Sequence, residues 1–505
     1  MSAHPYSAAA LRRGAWHFLS GKAVSGLLTF VILLWLVRLL PVAEYGAYVS
    51  LVAAAELAFA LGGLGLPWAA ARFLPEVRLH ARPDLTRALA WRLACWQAAV
   101  LGALAVLAGL TFDRLLPRLG LAVPAGAALA WAALLFAEGT GRFLREGLLG
   151  PLLCQDTVRL SLVARQILFI LCIAGLAASG EASLSTVLAV ELMASLLAAV
   201  VALAGLARHL RRLPAQDTGW QAPPARAVWR VALPMYGGHL LTLAYGPQVF
   251  LLLLARFAGA EAAAVFGFLR SLYEQAARYL PATLLFSLVR PKLVASYVGG
   301  GGMAELTRNA NLAGKLSLFV LMPVVAFAFA GGETLIKLLS GGKFPQTGLL
   351  FFGFMLALIP FSQRQLLETV AVTTGRAGLC TLGAAMGLLT LPLMLWLLSM
   401  DSGPWAGVAG LGVGHLLFAL TAVLGLKSTG YHADLPSLAR LALAALAGAL
   451  AAMLVPSLSN PWLELGGLAL ASGSAFLSAA WLLGPFASNE RQRMNRLLGR
   501  EVFPA

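Results

Sequence analysis

The chain has 505 residues, of which 60 % are hydrophobic and only 11 % charged, and its mean hydropathy is +0.83. A soluble chain of this length should be about 25 % charged, so a soluble globular protein is excluded. The formal net charge of +16 would suggest a nucleic-acid partner in a soluble protein. Here the basic residues lie between apolar runs, where membrane topology explains them. The composition therefore indicates a polytopic membrane protein that does not bind nucleic acid.

Apolar runs of about 20 residues or more, the length that crosses ~30 Å of hydrocarbon as a helix, recur along the whole chain. They predict an all-α protein with about fourteen transmembrane helices. The predicted spans of the first half are 16–40, 44–70, 90–112, 122–147, 155–178 and 184–207. Those of the second half are 230–257, 262–288, 314–331, 347–371, 377–399, 405–426, 437–456 and 462–484. The boundary between spans four and five is the weakest, because the apolar character barely drops around Pro151.

Lysine and arginine are distributed unevenly between the two sets of loops. One set contains most of them, including Arg72, Arg208 and Arg290, whereas the other contains little beyond Arg114 and Lys343. Basic loops stay in the cytoplasm, so we expect both termini there. The opposite loops are too short for an extramembrane catalytic domain, which favours a transporter over an enzyme.

The longest cytoplasmic link, Arg208–Arg230, separates two similar halves. Spans one and seven both follow a Trp, run apolar to an Arg (Arg38 or Arg256) and re-enter after a short external turn. This pattern predicts two six-helix lobes in a parallel repeat about an axis along the membrane normal. The predicted domains are an N-terminal lobe at 1–208, a basic linker at 209–229, a C-terminal lobe at 230–427, and two further spans with a basic tail at 428–505.

Span eight carries three ionisable residues on one helical face, Arg270, Glu274 and Arg278, spaced i, i+4 and i+8. Ionised groups in hydrocarbon cost several kcal/mol, roughly 2.5 to over 10, so they must face protein, water or a counter-ion. One interpretation is a self-neutralised ladder between helices. The other is a wet, cationic pathway for an anionic substrate.

Other ionisable residues within spans are candidates for either helix–helix ion pairs or a cationic pathway. Arg165, Arg364 and Lys22 are further candidates for an anion-binding path, because Arg in particular binds phosphate oxygens with a planar fork. Glu56 has no evident local partner and is a candidate either for a coupling-ion site or for pairing with a cavity Arg. Glu138 has Arg142 at i+4, which neutralisation along the helix explains.

Span seven combines Pro234, Gly246 and Pro247 with polar side chains. Proline removes a backbone donor and kinks a helix, so we expect this span to bend and to line a cavity. His239 within it could relay protons together with Glu274 and Glu56, or simply pack with a hydrogen bond. Tyr236, Tyr245 and Tyr273 could stack on sugar rings, or pack with a hydrated hydroxyl group.

No motif for catalysis or cofactor binding is present. The four cysteines stand singly, and no metal-ligand cluster, nucleophile elbow or nucleotide-binding loop occurs. We therefore expect neither a cofactor, a metal nor a catalytic residue.

Residues 14–76 carry a family resemblance. The segments LVRLLPVAEYGAYVSL and LGGLGLPWAAARFLPE resemble the opening of polysaccharide biosynthesis proteins, the oligosaccharide-lipid (Wzx-type) flippases of the multidrug/oligosaccharidyl-lipid/polysaccharide (MOP) exporter superfamily. The resemblance implies two six-helix lobes around a central cavity that opens alternately to each side. The Arg pattern of lipid II flippases in spans one and two is not evident, where only Lys22 and Arg38 stand.

The resemblance also implies a function and a location. The expected activity is movement of a polyprenyl-pyrophosphate-linked oligosaccharide from the cytoplasmic to the outer leaflet of a bacterial inner membrane, for surface polysaccharide synthesis. The expected partners are that lipid-linked oligosaccharide, membrane lipids and a glycan polymerase of the same pathway. Two alternatives remain at this point: a cation-coupled multidrug or metabolite exporter of the same superfamily, and a membrane-embedded glycan polymerase.

Overall fold

The computed structural model describes residues 8–80, 82–121, 123–124, 127–213, 224–284, 293, 297 and 302–498. Within these ranges the regular secondary structure is helical, without a strand. This follows from the composition, because a helix satisfies all of its backbone hydrogen bonds internally while its apolar side chains face lipid or neighbouring helices. The predicted basic linker lies partly outside the described residues, as do Arg290 and Lys292. The side chain of Lys22 is outside them as well.

The chain divides into two compact units. Unit 1 comprises residues 1–244 and 251–264, and unit 2 comprises 245–250 and 265–505. Helices α9 (Pro247–Phe257) and α10 (Gly259–Tyr279) contribute residues to both units. The predicted division at the linker and after residue 427 stays a prediction.

Unit 1 is built from long helices and one π-helix. Its elements are α1 (Ala8–Leu39), α2 (Val42–Gly62), α3 (Leu66–His80), α4 (Pro83–Arg118), α5 (Ala127–Arg142), the π-helix (Phe143–Leu149), α6 (Gln155–Ser179), α7 (Leu184–Arg211) and α8 (Ala225–Ala244).

Glycines allow two backbones of unit 1 to approach closely. A Cβ atom on Gly46 of α2 would lie 2.0 Å from the carbonyl oxygen of Ala260. One on Gly65, before α3, would lie equally close, 2.0 Å, to the carbonyl oxygen of Ala232 in α8. Small residues permit such helix contacts in membranes, and these two fix α2 and α3 against later parts of the same unit.

Unit 2 consists of paired helices. Its elements are α11 (Pro281–Leu284), α12 (Gly302–Ser340), α13 (Gly348–Thr373), α14 (Gly378–Gly387), α15 (Thr390–Ser399), α16 (Pro404–Leu426), a 3-10 turn (Lys427–Thr429), α17 (Leu435–Met453), α18 (Pro461–Leu483) and α19 (Ser488–Leu498). Helix α12 packs against α13, α17 and α18, while α14 and α15 pack against α16.

Ten segments of the described chain are long and apolar enough to cross a membrane, and the pair α8–α9 makes an eleventh if it is one span. That pair is bent by 42°, which confirms the bend predicted from Gly246 and Pro247. Predicted spans one, four and eight correspond to α1, to α5 with the π-helix, and to α10. Helices α5 and α10 do not meet the same length and apolarity criteria, and the part of α1 whose side chains are described, Ala23–Leu39, is a shorter apolar helix. The all-α polytopic class is therefore confirmed, while the count of fourteen stays a prediction.

Candidate functional site

A buried ion-pair cluster lies in unit 1, centred on Glu138 of α5. Its Oε1 atom accepts hydrogen bonds from Arg142 Nε and Arg145 Nη2, both at 3.0 Å. Its Oε2 atom lies 3.3 Å from Arg165 Nε of α6. One carboxylate therefore contacts three guanidinium groups, and the side chain of Glu138 is only 7 % exposed. The i, i+4 pair with Arg142 is the one that the sequence predicts.

Glu191 of α7 extends this cluster across a third helix. Its Oε1 atom accepts a hydrogen bond from Arg165 Nη2 at 3.1 Å. Arg165 Nε additionally donates to the Ser195 hydroxyl group at 3.3 Å. Because buried charges are tolerated only when paired and hydrogen-bonded, this network joins α5, α6 and α7.

The π-helix explains how Arg145 reaches Glu138. It begins immediately after Arg142, and its wider turn changes the direction in which the following side chains project. The Arg145 side chain is 2 % exposed. No local spacing points to this residue, since Arg145 stands at i+7 from Glu138 and the π turn is not encoded by a simple period.

A small cavity adjoins the cluster. It has room of about 20 Å³, enough for roughly one water molecule, and its lining includes Glu56, Phe59, Glu138, Arg142 and Glu191. Glu56 also interacts electrostatically with Arg142. Both roles predicted for Glu56, pairing with an arginine and holding a coupling ion, stay predictions.

In unit 2 the predicted ladder of α10 is formed at its first step. Arg270 is buried, and its Nε donates to Glu274 Oε1 at 2.7 Å. Arg278 is exposed and reaches Gln275 Oε1 at 3.5 Å, and no ion pair with Glu274 occurs among the side chains described. The charge of Arg270 is therefore balanced by a neighbouring carboxylate, whereas Arg278 at the end of the helix has no such partner among the residues described.

Arg364 of α13 combines an ion pair, a hydrogen bond and an aromatic contact in unit 2. It donates to Glu368 Oε1 at 2.8 Å and to the Tyr245 hydroxyl group at 3.2 Å, and its guanidinium carbon lies 4.4 Å from the centre of the Phe418 ring. A cation over an aromatic face is stabilised by about 0.5–2 kcal/mol. Tyr245 is buried, and its ring packs where Gly387 and Gly414 leave room.

Tyr273 and His415 form a buried pair between α10 and α16. The Tyr273 hydroxyl group lies 3.3 Å from His415 Nε2, and the Phe361 ring packs against both rings. Within the described part of the chain, His415 Nδ1 has no hydrogen-bond partner. Because Tyr245 and Tyr273 are both enclosed by protein in this conformation, their stacking on sugar rings stays a prediction.

The remaining predicted residues lie on α8 in unit 1. The Tyr236 hydroxyl group donates to the Leu61 carbonyl oxygen at 2.8 Å. The His239 ring packs against Trp68, with ring centres 5.1 Å apart. The roles predicted for both residues, sugar stacking at Tyr236 and a proton relay at His239, stay predictions beside these contacts.

One charged cluster has no counterpart among the residues predicted from sequence. Lys315 of α12 is buried and donates to Asp434 Oδ2 at 2.8 Å and Glu490 Oε2 at 2.7 Å. These carboxylates lie at the N-termini of α17 and α19. They are more than 100 residues from Lys315 in sequence, so no local spacing could reveal the cluster.

The described part of the chain contains no group of three His, Cys, Asp or Glu side chains arranged to hold a metal ion. The carboxylates of Glu138 and Glu191 are instead matched by guanidinium groups. The chemistry available in both units is therefore ion pairing and hydrogen bonding of charged groups within an apolar protein.

The sequence profile of the family described as "Polysaccharide biosynthesis protein" matches residues 11–290, more than half of the chain. The chain belongs to this family. The match extends well beyond the 14–76 region that carried the resemblance, and it confirms that resemblance. No curated protein sequence matches the chain.

Solved structures with the same fold are membrane transport proteins. The lipid II flippase MurJ in an inward closed conformation is 11 % identical, with a TM-score of 0.71, over 96 % of this chain and 99 % of that chain. An inward-facing multidrug resistance MATE family transporter of the MOP superfamily is 15 % identical, with a TM-score of 0.60, over 80 % and 95 %. A mutant of the Vibrio cholerae MATE transporter VcmN is 16 % identical, with a TM-score of 0.53, over 83 % and 96 %.

The chain thus shares the fold of these membrane proteins, and its long apolar helices confirm a multi-pass membrane protein. The structural neighbours named above are transporters and a flippase rather than enzymes. The membrane-embedded polymerase considered from the sequence is therefore not supported.

Proposed function

We propose that the protein is a flippase that moves a polyprenyl-pyrophosphate-linked oligosaccharide from the cytoplasmic to the outer leaflet of a bacterial inner membrane. It works by alternating access, with both of its termini in the cytoplasm. The oligosaccharide supplies surface or exopolysaccharide synthesis, and a glycan polymerase of the same pathway is the expected downstream partner.

The observation that carries this proposal is how much of the chain each structural neighbour covers. The lipid II flippase covers 96 % of the chain, whereas the two MATE transporters cover 80 % and 83 % although nearly all of their own length is matched. A portion of this chain thus has a counterpart in the lipid II flippase and none in those two MATE transporters. Together with membership of the polysaccharide biosynthesis family, this favours a lipid-linked sugar as substrate.

The substrate's headgroup is anionic, so its path requires cations that remain able to bind. Arg270, Arg364 and Arg165 each use part of their guanidinium group in an ion pair, and a guanidinium carries five N–H donors. Arg278 is exposed and has no acidic partner among the residues described. In this proposal these arginines, with Lys22, attract the pyrophosphate, while Tyr236, Tyr245 and Tyr273 meet the sugars as the transporter changes conformation.

The membrane potential assists export of an anion. With the cell interior negative, outward movement is favoured by about 2.3 kcal/mol per charge per 100 mV. Glu56, Glu274 and His239 are the groups through which a counter-moving cation would alter this sum. Their role is tested by whether a pH or sodium gradient changes the transport rate.

A cation-coupled drug or metabolite exporter is the second candidate. The observation that favours it is the cavity of unit 1, whose lining includes the carboxylates of Glu56, Glu138 and Glu191. Against it, Glu138 and Glu191 are already matched by guanidinium groups. A drug-efflux assay in cells distinguishes the two functions.

Reconstitution tests the proposal directly. Purified protein is placed in vesicles that carry a labelled polyprenyl-pyrophosphate oligosaccharide, and an impermeant glycosidase reports which leaflet holds the sugar. The proposal predicts movement of label between leaflets in protein-containing vesicles but not in protein-free vesicles. If the labelled sugar is equally protected from the glycosidase in vesicles with and without the protein, the proposal is overturned.

The variant Arg270→Gln/Arg278→Gln sharpens this assay. Compared at equal amounts of folded protein, the double variant should move the saccharide much more slowly than the wild type, because both candidate anion contacts on α10 are lost. The matched control is Arg72→Gln, at an exposed i, i+4 ion pair on α3, which should leave the rate unchanged. Equal rates in the double variant and the wild type would remove α10 from the substrate path.

A further inference from the structure

Arg142 differs from the other arginines of the Glu138 cluster in its exposure. Its side chain is 41 % exposed, compared with 2 % for Arg145 and 20 % for Arg165. Its Nε atom donates to Glu138, and its guanidinium carbon lies 5.0 Å from the centre of the Phe59 ring. Among the described residues, neither of its terminal nitrogen atoms has a hydrogen-bond partner. The fork of four N–H groups is therefore held in place from one side and open on the other.

The open side of Arg142 requires water or an anion. A guanidinium that faces hydrocarbon costs several kcal/mol, roughly 2.5 to over 10, so lipid is excluded as its surroundings. Glu56 lines the same small cavity as Arg142 and interacts with it electrostatically. Glu56 is thus an internal anion opposite a cation that keeps unused donors.

Arg142 is not the only residue that compensates the negative charge of Glu138. Arg145 and Arg165 contact the same carboxylate at 3.0 and 3.3 Å, and the π-helix that begins after Arg142 brings Arg145 into this position. π segments within helices occur frequently at functional sites. Arg142 can therefore engage a second anion while Glu138 remains neutralised.

We propose that Arg142 is an anion-binding residue of unit 1, which takes the phosphate oxygens of a prenyl pyrophosphate headgroup through its terminal nitrogen atoms, with Glu56 as the competing internal anion. This assignment rests on the proposed function and adds a residue that the helix-neutralising interpretation had set aside. A planar fork suits paired phosphate oxygens better than an ammonium group does.

The proposal has a signature that a structural role lacks. Removing the guanidinium should weaken anion binding, whereas removing the charge of Glu56 should strengthen it, because the competing anion is lost. If the two residues only stabilise the fold as an ion pair, both substitutions should act in the same direction.

The experiment measures the affinity of the purified full-length protein for geranyl pyrophosphate in detergent by calorimetry, with geraniol as the uncharged control. We expect Arg142→Gln to weaken geranyl pyrophosphate binding by about tenfold or more, the factor that corresponds to ~1.4 kcal/mol. Glu56→Gln should tighten it roughly threefold. Arg142→Lys, which keeps the charge but loses the fork, should fall between Arg142→Gln and the wild type. Arg72→Gln is the matched control, and the melting temperature of each variant shows that it is folded.

The outcomes separate this site from the proposed function. Unchanged affinity in folded Arg142→Gln, or weaker affinity in Glu56→Gln, overturns the Arg142 site. The flippase proposal stands in either case if the wild type still moves a lipid-linked saccharide in vesicles. A wild type that neither binds geranyl pyrophosphate nor moves the saccharide overturns both.

Discussion

At the scale of single residues, Glu138 is the centre of the buried ion-pair cluster in unit 1. It is buried and contacts the guanidinium groups of Arg142, Arg145 and Arg165. Removing one partner from a buried ionic cluster leaves uncompensated charge in a medium that solvates it poorly, which typically destabilises a protein by about 3–5 kcal/mol.

We therefore predict that Glu138→Gln lowers the free energy of unfolding by about 3–5 kcal/mol. The measurement is thermal or denaturant unfolding in detergent. Glu76→Gln breaks an exposed ion pair with Arg72 and should change it by no more than about 1 kcal/mol. Equal effects of the two substitutions would show that burial does not govern the cluster.

Sequence spacing predicts only part of this cluster. Glu138 and Arg142 lie on one helix at i+4, so their pairing follows from helical geometry, as does that of Arg270 with Glu274. Glu191 has no basic neighbour on its own helix, and its contact with Arg165 depends on how α6 and α7 pack. That packing is a tertiary property, which a single sequence does not reveal.

A second residue-scale prediction concerns Asp434, which lies outside the spans at the N-terminus of α17. Burial alone would raise its pKa. Hydrogen bonds from Lys315 and Ser437 outweigh that effect, so the folded-state pKa lies below the usual 3.8. The carboxylate therefore stabilises the fold at pH values above 3.8, and this contribution is lost as the pH falls through the lower folded-state value.

The measurement compares the melting temperatures of the wild type and Asp434→Asn between about pH 3 and pH 7, the range over which proton linkage acts on this carboxylate. We expect the wild type to be more stable above about pH 4 and the difference to shrink at more acidic pH. A difference that grows as the pH falls would contradict the ion pair.

At the scale of helices, close backbone contacts position the elements of unit 1. Gly65 has φ +77°, and a Cβ atom there would also collide with the carbonyl oxygen of Ala232. Gly259 has φ +88°, but a Cβ atom there would meet nothing within 4 Å among the described residues. The two positions thus share the backbone constraint and differ in the contact.

We predict that Gly259→Ala costs about 1 kcal/mol, the usual penalty for a left-handed conformation at a residue with a side chain. Gly65→Ala should cost more, because α3 and α8 must also separate. Measurements of the free energy of unfolding of both variants test this. Equal decreases would mean that α3 and α8 can move apart at no additional cost in stability.

The helices themselves were partly predictable. Gly246 and Pro247 predict the bend between α8 and α9, because proline removes a backbone donor at a fixed place. The π-helix after Arg142 has no comparable signal, because no residue type or regular spacing in the sequence marks its wider turn. Regular helical spacing therefore predicts Arg142 only as a partner of Glu138.

At the scale of the whole molecule, composition and apolar run length were sufficient to predict an all-α polytopic membrane protein. Family membership then came from two short segments near the N-terminus and was confirmed over residues 11–290. The substrate class was less accessible, because proteins of one fold transport drugs or lipid-linked sugars according to a few side chains. In the proposed function, the arginines of both units carry that distinction.

The most direct test of lipid-linked oligosaccharide flipping is made in a strain that lacks this protein. Polyprenyl-linked saccharides are extracted and quantified, and an impermeant sugar-modifying enzyme reports the leaflet that holds them. We predict that completed units accumulate on the cytoplasmic leaflet and that the wild-type gene restores their outward location. Normal amounts of completed units facing outward in the deletion strain would contradict the flippase function.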